Sequence, residues 1–391
     1  MKAGCMMDVS RFIHERAHGV DASGIRRVFD LAAKLKDPIN LSIGQPDFDV
    51  PQAIQDAAVD AMRAGMNRYT QTQGIAALRE RLTVALTQEF PNTLGPALAS
   101  GDAGLLVTSG VSGGLLLALM ATVGPGDEVL IPDPYFVMYK HLVTLAGATA
   151  VYVDTYPDFA VTPERLAPHV TDRTKLLLFN TPSNPTGVRA SADDAAAVTS
   201  FCREQNILLL SDEIYDVFSY GLDENTPFPS PLHTGTDALL MRGFSKTYGM
   251  TGWRLGYAAG PAPIIEQMTK LQQYSFVCAP SMVQVAGVTA LDIDMSASVA
   301  AYAKKRDRVV EALSPHYELT APSGAFYAFP KVPEHLGMTA SQFVEAAVDK
   351  NLLIIPGNVF SQRDTHFRLS YACDETMLDR GLEVLVELGR R

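Results

Sequence analysis

Six strand-length apolar runs recur along the middle of this chain, at Leu105–Thr108, Val129–Ile131, Ala148–Val153, Leu176–Phe179, Ile207–Leu210 and Ala238–Met241. Each hands over to a loop and then to a helix-length segment. Short uninterrupted apolar runs mark strands buried on both faces. Alternating them with helices of about ten to fifteen residues builds a mostly parallel sheet covered by helices on either side. Sheets of this α/β class bind ligands outside the carboxyl ends of their strands. The residues just after each run are therefore where chemistry is to be sought.

The run Ala238–Met241 leads into Gly243-Phe244-Ser245-Lys246-Thr247 and on to Gly252-Trp253-Arg254-Leu255-Gly256. A lysine at the lip of a sheet is out of place unless something there uses it. Ser245 and Arg254 offer the hydroxyl and guanidinium that would hold a phosphate beside that amine. Behind Leu105–Thr108 comes Ser109-Gly110-Val111-Ser112-Gly113-Gly114, then an apolar helix read from Leu115 to Val123. Strand, glycine loop and helix N-terminus aim backbone N–H groups and the helix dipole at an anion. The run Ile207–Leu210 ends in Ser211-Asp212-Glu213-Ile214-Tyr215. A carboxylate there is costly to desolvate unless it meets a cation, although a helix N-cap is a common alternative for aspartate. After Leu176–Phe179, the prolines and glycine of Asn180-Thr181-Pro182-Ser183-Asn184-Pro185-Thr186-Gly187 force an irregular loop.

The stretch from Ser245-Lys246-Thr247 to Gly252-Trp253-Arg254-Leu255-Gly256, with Asn184-Pro185-Thr186-Gly187, resembles the motifs of class I/II aminotransferases. These are pyridoxal-phosphate enzymes of fold type I, and the branch most similar is the aspartate and aromatic aminotransferase group. The likeness runs from about Ser23 to Ala372. It implies a large domain, residues 51–284, with a mostly parallel seven-stranded sheet flanked by helices. A smaller α+β domain would combine residues 1–50 and 285–391. It further implies that Lys246 carries pyridoxal 5′-phosphate, Asp212 pairs with its ring nitrogen, and Tyr215 and Asn184 reach its phenolic oxygen. Phe136, rather than Tyr135, would cover the ring, with Val111, Ser112, Ser245 and Arg254 around the phosphate. Tyr69 would reach the phosphate of the neighbouring subunit in a homodimer, and Gly44, Asn184 and Arg368 would meet the substrate carboxylate. On residues alone, Arg368 in its strand-like run needs either such a carboxylate or a protein acid. The activity implied is transfer of an amino group between an L-amino acid and a 2-oxo acid such as 2-oxoglutarate. C–S lyases and decarboxylases share the scaffold and stand as alternatives. Aspartate-specific members carry lysine where Ser112 stands, so neutral and aromatic donors are expected beside aspartate. The family usually has glycine at the position of Ser361, which bears on loop shape.

Composition bounds the partners. The 391 residues are 47% apolar and 19% charged, the balance of a soluble globular enzyme. A net charge of −11 argues against nucleic acid or an anionic membrane as partner. No apolar run approaches the roughly twenty residues of a membrane span. Cys5, Cys202, Cys278 and Cys373 are scattered, as expected of reduced thiols in a cytoplasmic protein. A helix is expected from a Ser23 cap through Val28, Leu31 and Leu35, and within Leu41–Phe48 a short strand that breaks into a Gly and Pro turn. Two motifs point elsewhere. His14-Glu15-Arg16-Ala17-His18 fits the HExxH zinc signature, but Gly19 follows at once and no motif supplies a third ligand, so a solvated arm and no metal are expected. Gly110–Gly114 also spells GxSxG, the elbow of a serine hydrolase with Ser112 as nucleophile. His316 and His366, the available partners, sit in no recognisable setting, which leaves the hydrolase a remote alternative.

Overall fold

A computed structural model of the chain describes residues 7, 9–21, 24, 35–222 and 226–390. The expected Ser23 cap, Val28, Leu31 and Cys5 lie outside the described residues.

Seven strands form the main sheet: β1 (Ala103–Ser109), β2 (Glu128–Asp133), β3 (Thr149–Asp154), β4 (Thr174–Asn180), β5 (Leu208–Asp212), β6 (Ala238–Gly243) and β7 (Leu255–Pro261). Their order is β1-β7-β6-β5-β4-β2-β3, and only β7 runs against the rest. The central strands read as apolar runs because both faces are covered. Leu209, Leu210, Leu239, Leu240 and Met241 are all buried, each contributing about 1.5–3 kcal/mol of transfer free energy. The helix Gly110–Thr122 begins at once after β1, five residues before the expected Leu115, so its first turn lies at the carboxyl edge of the sheet. The helix Ala192–Glu204 starts at its expected cap, where the Ser191 hydroxyl accepts the Asp194 N–H.

Register explains why the chemistry gathers at one edge. Asn180 lies opposite Asp212, Asp212 opposite Met241, Gly243 opposite Gly256 and Ser109 opposite Leu255. Because β7 is reversed, Arg254 just before it arrives at the same edge as the loops that follow β1, β4, β5 and β6. A buried ion cluster fixes the turn after β5. The Arg242 guanidinium donates to both Glu89 oxygens at 2.7 Å and to Glu213 Oε2 at 2.8 and 3.0 Å, and it pairs with Asp216 at 3.2 Å. Ser211 and Ser230 donate to the other Glu213 oxygen. Residues 211–216 are thereby held on one side while Asp212 and Tyr215 face the other.

The carboxyl-terminal part builds a smaller layer in which Phe367–Ser370 pairs antiparallel with Ile355–Pro356 and Tyr327–Ala328. Ile39–Asn40 pairs parallel with Leu352–Leu353. The short strand expected at the start of Leu41–Phe48 lies instead at Ile39–Asn40, and the chain is irregular from Leu41 through the Gly and Pro turn. Its backbone serves side chains in place of a ladder: the Ser42 carbonyl accepts Arg368 Nη2 at 2.8 Å and the Gly44 carbonyl accepts Lys246 Nζ at 2.7 Å. The Ser361 hydroxyl has a use that glycine could not meet, accepting from Tyr156 and from the Arg363 N–H, both at 3.0 Å. Cys202 and Cys373 are buried free thiols, and Cys278 is a half-buried one. Among the described residues no helix is long and apolar enough to cross a membrane.

Candidate active site

A cavity of about 250 Å³ opens at the carboxyl edge of the sheet. Every site residue anticipated from the sequence lines it, except Tyr69. Tyr69 is 83% exposed and lies at a separate surface hollow with Phe276 and Pro280.

At one end, Ser245, Arg254 and the first turn of the helix Gly110–Thr122 converge. Gly110 takes a positive φ of 68°, and a Cβ there would stand 2.4 Å from Arg254 Nη2. The glycine thus lets the guanidinium close over the helix N-terminus. Arg254 itself is left-handed, with φ 58°, and its Nη1 donates to the Thr251 carbonyl at 3.0 Å. Hydroxyl, guanidinium and N-terminal amides together form a cradle for an anion.

At the middle, Lys246 sits in a single turn of helix after β6, its amine donating to the Gly44 carbonyl. Burial pushes that amine down to about 8; Arg368 and Arg254 push the same way and Asp212 opposes them. Burial pushes the Asp212 carboxyl up to about 6, against the hydroxyl of Tyr139, which donates to its Oδ2 at 2.7 Å, and the Ile214 N–H at 3.3 Å. The N-cap alternative for Asp212 fails, because residues 214–217 form a turn and not a helix. The Tyr215 and Tyr327 hydroxyls lie 2.9 Å apart, both raised above the ordinary phenol value first of all by burial.

At the other end, Arg368 is 1% exposed. Its Nη1 donates to Asn184 Oδ1 at 3.1 Å and its Nη2 to the Ser42 carbonyl, while its Nε has no partner. The Tyr327 and Phe360 rings cover its two sides at 4.7 and 4.6 Å. No described acid pairs with it, which removes the protein salt bridge that its sequence setting left open. Gly44 is needed close by, since a Cβ would stand 2.6 Å from the Tyr327 hydroxyl.

Phe136 lines the cavity, whereas Tyr135 is core, stacked on Tyr152 at 5.2 Å. Sequence reasoning missed Tyr327, Asn180 and Tyr139. Asn180 holds the loop after β4 in shape: its Oδ1 accepts the Asn184 N–H and its Nδ2 donates to the Asp212 carbonyl, both at 2.9 Å. The available signal was position alone, Asn180 ending its strand and Tyr139 lying three residues beyond Phe136.

Two motifs that pointed elsewhere in the sequence have these settings. The helix at the HExxH sequence spans only Glu15–His18, and His14 is its cap, accepting the Arg16 N–H at 3.1 Å. Among the described residues no three His, Cys, Asp or Glu side chains are grouped to hold a metal. Ser112 lies within the first turn of its helix, and neither His316 nor His366 lines the cavity. His366 packs instead among Tyr156, Phe159 and Phe329.

Sheet and cavity together set a buried amine beside a cradle suited to an anion, at the carboxyl edge of an α/β sheet. Comparison with known proteins gives the family. The model for aminotransferase class I and II matches residues 36–385. An aromatic-amino-acid aminotransferase of Thermococcus litoralis is 34% identical, over 96% of this chain and 98% of that protein. An aspartate aminotransferase of Pyrococcus abyssi is likewise 34% identical, with 96% and 98% covered. The structure of Thermus thermophilus aspartate aminotransferase with maleate superposes with a TM-score of 0.88 at 30% identity, covering 96% of this chain and 99% of that one. The chain belongs to the class I and II aminotransferase family. It is a transferase enzyme with the fold of the aspartate aminotransferases, and the hydrolase alternative falls.

Proposed function

We propose that the cavity binds pyridoxal 5′-phosphate on Lys246 and moves an amino group between an L-amino acid and a 2-oxo acid. The observation that carries this reading is a buried amine set between an anion cradle, a buried carboxylate and an unpaired guanidinium. The residues fit the group. Arg254, Ser245 and the amides of Val111 and Ser112 would hold the phosphate, and Gly110 supports this by leaving the cradle open. Asp212 would hold a proton on the ring nitrogen, Tyr215 and Asn184 would donate to the phenolic oxygen, and Phe136 would cover the ring. When bound, the cofactor supplies an electron sink for the negative charge that develops at the substrate α-carbon.

Arg368 binds and orients the α-carboxylate, with Asn184 fixing its Nη1. Lys246 Nζ takes the α-proton and returns it, for which an amine drawn down to about 8 is well matched near neutral pH. Ser112 places no cation where a second substrate carboxylate would lie. We therefore assign neutral and aromatic donors beside aspartate, with 2-oxoglutarate among the acceptors. The existence of both aspartate and aromatic enzymes among the relatives supports that breadth.

The enzyme works as a homodimer in this reading. The exposure of Tyr69 supports it, since the side chain lies outside its own cavity and is accessible to a partner. We keep residues 51–284 as the large domain and 1–50 with 285–391 as the small one; the helix Ser281–Ala290 spans that boundary and packs on Gln52–Arg63. A cytoplasmic setting accords with the free thiols. The test is direct. The purified protein should be yellow with bound pyridoxal phosphate, and borohydride should fix the cofactor on Lys246 in a peptide map. An adduct on another lysine, or no uptake of cofactor, overturns the reading.

A further inference from the structure

We infer that Tyr139 is the positioning residue of this site, acting on the cofactor's ring nitrogen through the hydrogen bond that aims Asp212. The inference rests on the functional reading above. Tyr139 does not line the reaction cavity; it stands behind Asp212, 2% exposed, in the first turn of the helix Met138–Ala146. Its hydroxyl donates to Asp212 Oδ2 at 2.7 Å, while Oδ1 has only the longer contact from the Ile214 N–H at 3.3 Å. Asp212 forms no ion pair with a described residue, although it is 3% exposed. This phenol is therefore the one short hydrogen bond that fixes the carboxylate.

The surroundings hold Tyr139 itself in place. Its ring meets Phe136 edge-on at 5.7 Å and 88°. It is otherwise enclosed in the apolar core, although it also borders a smaller cavity of about 80 Å³. From the backbone side, Asn180 Nδ2 fixes the Asp212 carbonyl. Main chain and side chain of Asp212 are thus gripped by different residues, and among the described residues Tyr139 makes the shorter of the two hydrogen bonds that aim the carboxylate. A hydrogen bond to the ionised form also favours that form, which is the one able to hold a proton on a ring nitrogen.

A tyrosine that merely satisfies its hydroxyl in the core would act on all ligands alike, and this separates the two cases. The experiment measures dissociation constants of the ligand-free protein for pyridoxal 5′-phosphate and for its 1-deaza analogue, in which carbon replaces the ring nitrogen. Tyr139→Phe should weaken pyridoxal phosphate roughly ten- to hundredfold, the size of one hydrogen bond to a charged group. It should bind the deaza analogue as well as the unmodified protein does. Tyr139→His, which keeps a donor on the same side, should recover part of the nitrogen-dependent affinity and serves if Tyr139→Phe does not fold. An equal penalty on both ligands, or none on either, overturns the inference. If the unmodified protein takes up no pyridoxal phosphate, the functional reading itself has failed.

Discussion

Arg368 should make this enzyme less stable than it could be, and replacing it should separate stability from binding. The guanidinium is almost fully buried, has no acid partner and leaves Nε unsatisfied. Burying a charge without a counter-charge costs several kcal/mol. Against this stand two hydrogen bonds to neutral oxygens, each worth about 1–2 kcal/mol, and two ring faces, each worth about 0.5–2 kcal/mol. The terms nearly cancel. Arg368→Gln keeps an amide donor toward Asn184 and Ser42 while removing the charge. The ligand-free variant should therefore be as stable as the unmodified protein, or up to about 2 kcal/mol more stable, with an upward melting shift of a few degrees. Binding should behave oppositely, because a desolvated charge pair with an α-carboxylate is worth about 2–5 kcal/mol. That corresponds to a loss in kcat/KM of roughly thirtyfold to several thousandfold, shared by every donor with a free α-carboxylate. Urea unfolding of both ligand-free proteins and kcat/KM for several amino acids read the two quantities separately. A variant that loses more than about 2 kcal/mol of stability while keeping kcat/KM within about threefold refutes the reasoning, since Arg368 would then be a structural residue.

Two further outcomes follow from the same cavity. The Lys246 amine stands near 8, below its ordinary 10.5, so between those values the unfolded chain binds more protons and the burden of the buried ammonium lifts as pH rises. Ligand-free Lys246→Ala should be the more stable protein at pH 7, and its advantage in urea midpoint should shrink from pH 8 to 10.5; a gap constant with pH rejects this. Ser112→Lys should move kcat/KM preference toward aspartate over phenylalanine by about tenfold or more, the size of one charge-assisted hydrogen bond. If the unmodified enzyme already prefers aspartate by about a hundredfold, another cation reads the side chain and the assignment to neutral donors is wrong.

What could be read from the residues divides along a physical line. The sheet was legible because buried parallel strands must be apolar along their whole length, so β4, β5 and β6 stand out as Leu176–Phe179, Ile207–Leu210 and Ala238–Met241. Lys246, Asp212 and Arg254 were legible because a charge at the end of such a run has a large cost unless it has a use. Three kinds of information were not local. The reversal of β7, which brings Arg254 to the common edge, is set by pairing with Ser109 and Gly243, far away in the chain. Beyond Leu41 the chain leaves its ladder, and distant side chains, Arg368 and Lys246, meet the Ser42 and Gly44 carbonyls. Tyr139 and Tyr327 look like core tyrosines in sequence, and in burial they are; only the partner each hydroxyl meets distinguishes them.

The charge arrangement joins these pieces into one design. The chain carries a net charge of −11, yet its cavity is lined by Lys246, Arg254 and Arg368 against the single carboxylate of Asp212. Three cations in one buried space repel one another, and the repulsion from Arg368 and Arg254 reinforces burial in drawing the Lys246 proton off. In the proposed function two anions would relieve it at opposite ends, a phosphate at Arg254 and a carboxylate at Arg368. Neither Arg254 nor Arg368 pairs with an acid among the described residues, which in the proposed function would leave both cations for ligands, and Lys246 between them is the group whose proton affinity responds to both. An excess of positive charge in a closed cavity also draws anionic ligands in from a surface that would otherwise repel them. The same repulsion that makes the ligand-free site costly thus keeps the Lys246 amine ready to accept a proton.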